Sequence, residues 1–147
     1  MEIEKINSVR IDGKNLKIAI VLPYFNENIG LELLKNAKDE LLKNNVREKN
    51  IDIVRVYGAL EIPLACQKII NSKKPDAIIT LGVIIKGETT HYDLVCENTF
   101  KGIMKVQLET GIAISFGFLT CKNEKQARER INKGRQAAQS ALIQTTL

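Results

Sequence analysis

The sequence predicts a three-layer α/β/α sandwich built on a four-stranded parallel sheet, and two observations carry that expectation. Four short runs, 18–22, 51–56, 77–83 and 112–118, are rich in Val and Ile and nearly continuous in apolar residues. Strands buried on both faces read this way, whereas half-exposed strands alternate. Between the runs lie longer stretches with helical spacing, so strands and helices alternate, as in parallel βαβ units with right-handed crossovers.

Taken in order, residues 1–13 precede this pattern. Ile3, Ile6, Val9 and Ile11 are interspersed with polar residues, and the arm is expected to extend the sheet as an N-terminal strand paired with a neighbouring subunit. After the first strand, Ile29, Leu33, Leu34, Ala37, Leu41 and Leu42 form one helical stripe. A second helix spans 62–70 and ends before Asn71-Ser72-Lys73-Lys74-Pro75. A third runs from about 91 to 108 and is closed by Gly111. The last covers roughly 123–142, with a break expected near Gly134. The whole is read as one flavodoxin-like domain, 1–147, without repeat, linker or low-complexity segment.

A chain of 147 residues suits one domain, and that size buries roughly 68–70% of its unfolded surface, enough for a core without staples. The 44% hydrophobic content is that of an ordinary globular protein. No apolar run approaches the ~18–20 residues of a membrane span, and the charged start MEIEKINSVRIDGKN lacks the apolar region of a secretory signal. Cys66, Cys96 and Cys121 are odd in number, and no two form a C-x-x-C pair. Free thiols in a reducing compartment are expected, neither zinc ligands nor a disulfide framework. The cytoplasm fits. The net charge of +5 is spread among acids, as in Arg128-Glu129-Arg130, with no basic tail and no Trp, which describes a solvated surface better than a nucleic-acid footprint.

The unusual residues gather at the carboxyl ends of the strands, where open α/β sheets bind ligands. Strand one ends in Pro23-Tyr24-Phe25-Asn26, strand two in Tyr57-Gly58-Ala59-Leu60-Glu61-Ile62-Pro63, strand four in Phe116-Gly117-Phe118. Strand three runs into Gly82-Val83-Ile84-Ile85-Lys86-Gly87-Glu88-Thr89-Thr90-His91-Tyr92-Asp93. Gly87-Glu88-Thr89-Thr90 opens a helix, where free backbone N–H groups and the helix dipole favour an anion; an ordinary N-cap is the alternative. There is no P-loop and no G-x-G-x-x-G, so nucleotide phosphate motifs lack support. His91 is the only histidine. Imidazoles titrate near about 6.5 in water, suited to proton transfer, although a lone His is often a packing or surface residue. A single His without a Cys or carboxylate cluster argues against a metal site. Phe25 and Phe116 suit either the core or stacking on a flat heterocycle. Glu61 suits a helix start or an acceptor for substrate hydroxyls, and Arg130 reads as solvated surface.

These blocks resemble the signatures of the lumazine synthases. Phe25-Asn26, Gly58-Ala59-Leu60-Glu61-Ile62-Pro63, the 82–93 block, and Phe116-Gly117-Phe118-Leu119-Thr120 followed by Glu124, Gln126-Ala127 and Glu129-Arg130 occur in the family's order over about 17–142. The resemblance implies condensation of 5-amino-6-ribitylamino-pyrimidinedione with 3,4-dihydroxy-2-butanone 4-phosphate, the penultimate step of riboflavin biosynthesis, without a cofactor. It implies sites between adjacent subunits of a homopentamer. By similarity, Phe25 stacks on the pyrimidine, and Ala59, Leu60 and Glu61 hold the ribityl chain. Val83, Ile84 and Ile85 line the ring pocket, and Glu88 and Thr89 meet the phosphate through main-chain N–H groups. Arg130 and Phe116 arrive from the neighbouring subunit, Lys133 aligns with the family's lysine near the phosphate, and His91 moves protons.

Two departures stand out. Tyr24 occupies a position where the family often has Arg, and Ile131-Asn132-Lys133-Gly134 is a shorter joint than the family's. The shortened joint favours an isolated pentamer over a shell. The readings from other classes are a non-catalytic flavodoxin-like module that binds a flavin or nucleotide, and a structural shell subunit. A receiver-type signalling domain lacks its acidic cluster.

Overall fold

The four strands form one parallel sheet in the order β2-β1-β3-β4, with β1 Ile18–Pro23, β2 Ile51–Val56, β3 Ala77–Ile85 and β4 Ala113–Cys121. The computed structural model describes residues 2–87 and 90–147, with side chains from Glu4 onward. Helices α1 Glu2–Ser8, α2 Glu27–Lys43, α3 Ile62–Lys73, α4 His91–Thr110, α5 Glu124–Arg128 and α6 Lys133–Gln144 complete it. The expected sandwich, its strands and their all-parallel order are present.

Alternate residues of each inner strand feed two cores, one on either face. Ile18, Ile20 and Leu22 of β1 and Ile79, Leu81 and Val83 of β3 pack with Leu33, Ala37 and Leu41 of α2 and Ala137, Ala138 and Ala141 of α6. Ala19, Val21, Ile78 and Ile84 point the other way, onto Ile62, Cys66 and Ile69 of α3 and Ile103 and Val106 of α4. Both faces are covered, so β1 reads as an unbroken apolar run and β3 as one interrupted only at Thr80. Edge strand β2 is only half-buried, which is why it tolerates Asp52 and Arg55.

The helices begin and end for local reasons. Pro63 sits in the first turn of α3, where its missing N–H costs nothing, and Pro75 follows its end. Gly111 closes α4 at φ 72°, its N–H donating to Gln107 O at 2.9 Å. The Asn123 side chain accepts from Gln126 N at 2.8 Å and caps α5.

Two expectations need correction. The arm is not a strand: residues 2–8 form α1, and Asn7 accepts from Gln139 of α6 at 3.1 Å. The separations between Ile3, Ile6 and Val9 are three residues, a helical rather than a period-two spacing. Ile6, Val9 and Ile11 lie along a small cleft closed by Leu142 and Ile143 of α6, so the chain's own helix takes the arm. The break in the last helix falls at 129–132, and Gly134 lies inside α6. Gly134 serves close packing: a Cβ there would lie 2.2 Å from Leu33 O of α2.

Cys66, Cys96 and Cys121 are free. Burial pushes the Cys66 thiol up to about 12 from 9.0. The stability tied to this neutral thiol is fully present below the unfolded thiol's pKa near 9 and is lost as pH rises toward 12, because only the unfolded chain ionises in that window. Wild type is expected to lose about 1 kcal/mol per pH unit above 9 relative to Cys66→Ala, in denaturant titrations at pH 8 and 10.5. A constant difference between the two proteins would contradict it.

Candidate active site

Three strand ends and one helix start converge on a cavity of about 300 Å³. At the end of β1 the chain stays tied to β2: Tyr24 N donates to Val56 O at 2.7 Å and Phe25 N to Tyr57 O at 3.1 Å. Asn26 then turns the chain into α2 in the left-handed region, φ 58° and ψ 33°, a conformation that Asn adopts more readily than most residues. Its side-chain amide donates to Val83 O at 2.8 Å and so ties this corner to the end of β3. Phe25 is left 64% exposed over the cavity, its ring 6.5 Å from that of Tyr57. An aromatic held open to solvent by its backbone offers a stacking face.

The end of β2 makes a 3-10 turn, Ala59–Glu61, in which Glu61 N donates to Gly58 O at 3.3 Å. The turn carries Ala59, Leu60 and Glu61 to the cavity wall, with the Glu61 carboxylate exposed. Val83 and Ile84 are buried and Ile85 half-buried where β3 forms the floor. Beyond it Lys86 N donates to Cys121 O at 2.8 Å, holding the loop toward β4. His91 and Tyr92 open α4 on the far wall, and Val95 follows one turn later. Burial raises the Tyr92 phenol, while its contact with Thr120 opposes the shift and Cys96 adds to it.

Of the residues expected at the site, Phe25, Ala59, Leu60, Glu61, Val83, Ile84, Ile85 and His91 line this one cavity. Glu88 and Thr89 lie outside the described residues. Phe116, Arg130 and Lys133 lie elsewhere. Arg130 is exposed on the turn between α5 and α6 and lines a cleft with Lys133, Thr120 and Glu129. Phe116 meets Phe100 edge-on at 5.4 Å and borders a further cleft, which Lys133 also lines. Neither cleft shares a lining residue with the cavity.

This separation has an electrostatic consequence. The cavity presents an aromatic face, one carboxylate and one imidazole, and among the described residues no Lys or Arg lines it. The cationic side chains Arg130 and Lys133 line clefts that share no residue with it. Among the described residues no group of three His, Cys, Asp or Glu is placed to hold a metal. No helix among them is long and apolar enough to cross a membrane.

Sequence reasoning did not assign Tyr57, Tyr92 or Val95 to the wall. Tyr57 and Tyr92 lie within the strand-end runs, and Val95 follows His91 by one helical turn, the spacing that puts two side chains on one face. Each was legible in principle. A family model described as 6,7-dimethyl-8-ribityllumazine synthase matches residues 15–147. With the strand-end cavity and the parallel 2-1-3-4 sheet, that match over nearly the whole length shows that the chain belongs to the 6,7-dimethyl-8-ribityllumazine synthase family.

Proposed function

We propose that the chain condenses 5-amino-6-ribitylamino-pyrimidinedione with 3,4-dihydroxy-2-butanone 4-phosphate, giving 6,7-dimethyl-8-ribityllumazine, inorganic phosphate and water, without a cofactor. The observation that carries this reading is the division of labour within one chain. A ring-and-hydroxyl cavity with a proton carrier lies on one surface, and Arg130 with Lys133 lies on another. In a closed ring of copies the cationic cleft of one subunit faces the cavity of the next, and the two halves make one site. The assembly is read as a homopentamer acting in the cytoplasm, each chain forming a single domain.

Each group then has a task. Phe25 stacks on the pyrimidine, Ala59 and Leu60 flank the ribityl chain, and Glu61 accepts from its hydroxyls. Val83, Ile84 and Ile85 bound the ring. Glu88 and Thr89, which follow Gly87 in the sequence, are assigned main-chain N–H groups for the phosphate, which Arg130 and Lys133 of the adjacent copy neutralise. Phe116 of that copy closes over the ring. His91 moves protons as the pyrimidine's amine adds to the butanone carbonyl, water leaves to give the imine, phosphate is eliminated to leave an enol that becomes a new carbonyl, and the ribitylamine nitrogen closes the ring on that carbonyl with loss of a second water.

Positioning accounts for much of the acceleration, since well-oriented partners reach effective molarities of about 10⁵–10⁸ M. His91→Ala is therefore expected to lower kcat roughly tenfold to hundredfold, toward the low end of acid–base contributions, while leaving turnover above the spontaneous rate. The test follows lumazine absorbance and released phosphate together. Equal molar formation, faster than without protein, supports the reading. A well-folded oligomer that gives no acceleration would point instead to a binding module or a shell subunit.

A further inference from the structure

Arg55 interrupts the apolar run of edge strand β2, where a charged side chain would ordinarily extend into water. Instead it lies across the end of β1, its side chain only 23% exposed. Its Nε donates to Leu22 O at 3.1 Å. Its Nη2 donates to Pro23 O at 3.3 Å and to Glu27 Oε2 at 2.7 Å. The guanidinium carbon stands 4.2 Å from the centroid of the Tyr24 ring, a cation–π distance. Donors in one plane and a face for stacking are what a guanidinium supplies and an ammonium does not.

The partners of Arg55 bracket Phe25. Leu22, Pro23 and Tyr24 come before it, and Glu27, the first residue of α2, comes after it. The segment needs such a clamp, because β1 pairs with β3 only as far as Val21 while its register with β2 continues to Pro23. Beyond Val21 the strand has lost one of its two neighbours. Phe25 gains little from its own packing, since the Tyr57 ring stands 6.5 Å away centre to centre and most of its surface is open. The direction of its ring is therefore set by the backbone of the corner. That backbone is held on one side by the Asn26 amide on Val83 O and on the other by Arg55. Neither Arg55 nor Tyr24 lines the cavity, so both act at a distance from any ligand in it.

We propose that Arg55 is a positioning residue for the ring-binding wall: it locks the Tyr24-Phe25-Asn26 corner so that Phe25 is presented to the cavity before a flat heterocycle arrives. This rests on the functional reading above, in which Phe25 stacks on the pyrimidine. A preformed wall spares the ligand the ordering of the corner, so loosening the clamp weakens ring binding specifically. Phosphate recognition, which draws on other surfaces, stays as it was.

The test titrates 6,7-dimethyl-8-ribityllumazine by fluorescence into wild type, Arg55→Met, Arg55→Lys and Tyr24→Ala, and measures KM for both substrates. Arg55→Met is expected to weaken lumazine binding and to raise KM for the pyrimidinedione by about tenfold each, with KM for the butanone phosphate changed less than about twofold. Arg55→Lys recovers only part of the loss, because an ammonium cannot serve both carbonyls, the carboxylate and the ring together. Tyr24→Ala, on an exposed side chain that does not line the cavity, weakens lumazine severalfold. It adds little in the Arg55→Met background, as coupled positions do. Unchanged lumazine affinity in folded Arg55→Met would overturn the proposal, as would equal losses for both substrates. Should Arg55→Met not fold, unchanged affinity in Tyr24→Ala would overturn it just as well. A wild-type protein that binds no lumazine sinks the functional reading and the clamp together, whereas failure of the clamp alone appears only in the variants.

Discussion

Arg130→Ala is expected to lower kcat/KM for 3,4-dihydroxy-2-butanone 4-phosphate by roughly 10²–10³-fold, while the fold is kept. The size follows from the partner. A guanidinium meets a phosphate through two parallel charge-assisted hydrogen bonds, and truncating one member of such a pair costs about 2–5 kcal/mol, tenfold for each 1.4. The cavity cannot compensate, because no Lys or Arg among the described residues lines it. Stability should hardly change, since Arg130 is exposed on the turn between α5 and α6, and such surface substitutions stay within about ±0.5 kcal/mol. Arg130→Lys keeps the charge but loses the fork, so it should fall between the two. Steady-state kinetics with the phosphate substrate varied checks this; a loss confined to the pyrimidinedione would place Arg130 at the wrong end of the site.

Gly134→Ala is expected to destabilise the protein by about 2 kcal/mol, although alanine is the better helix former. Two effects oppose each other. Replacing Gly by Ala within a helix is favourable by about 1 kcal/mol. Against this, the new Cβ would lie 2.2 Å from Leu33 O and 2.9 Å from Leu33 C, and backbone cannot swing aside as a long side chain can. Overpacking of this kind costs about 1–3 kcal/mol and occasionally more, and a clash with backbone belongs at the upper end. Moving α6 away from α2 also strains neighbouring ties. Arg135 Nε donates to the buried Glu40 carboxylate at 2.9 Å, and Asn36 Nδ2 donates to Ile131 O at 3.1 Å. Thermal unfolding should fall by about 4–8 °C, given roughly 2–4 °C per kcal/mol for a chain of this size. An unchanged or raised midpoint would mean that α6 can shift freely.

The sheet was legible because strands buried on both faces are apolar at nearly every position, as β1 is throughout and β3 is except at Thr80, whose hydroxyl donates to Ser115 O. Helix α4 was legible from its closing Gly111, whose φ of 72° suits glycine. The arm was misread because the three-residue separations of Ile3, Ile6 and Val9 suit a helix rather than the alternation of a strand, and α6 receives Ile6, Val9 and Ile11. Gly134 was misplaced as a break because a sequence marks a glycine without saying whether it serves a turn or close packing. Phe25, Glu61 and His91 were legible as site candidates because each stands at a strand end or helix start, where this topology collects ligands. Arg55 was not, since an arginine on an edge strand reads as solvated surface until its partners on β1 and α2 are seen. Arg130 and Lys133 could not be placed by local chemistry, and their own chain does not bring them to the cavity.

The central claim is that the reaction site is shared, the cavity coming from one copy and its cationic arm from the next. The most direct test co-assembles two strongly impaired variants, Arg130→Ala and a chain with its cavity blocked by Ala59→Trp, and follows lumazine formation. The account predicts that the mixed oligomer regains a substantial fraction of wild-type activity, because some interfaces pair an intact cavity with an intact Arg130, while each variant assembled alone stays at its low residual rate. No recovery in a verified mixed oligomer would contradict it and would require cavity and Arg130 to work within one chain.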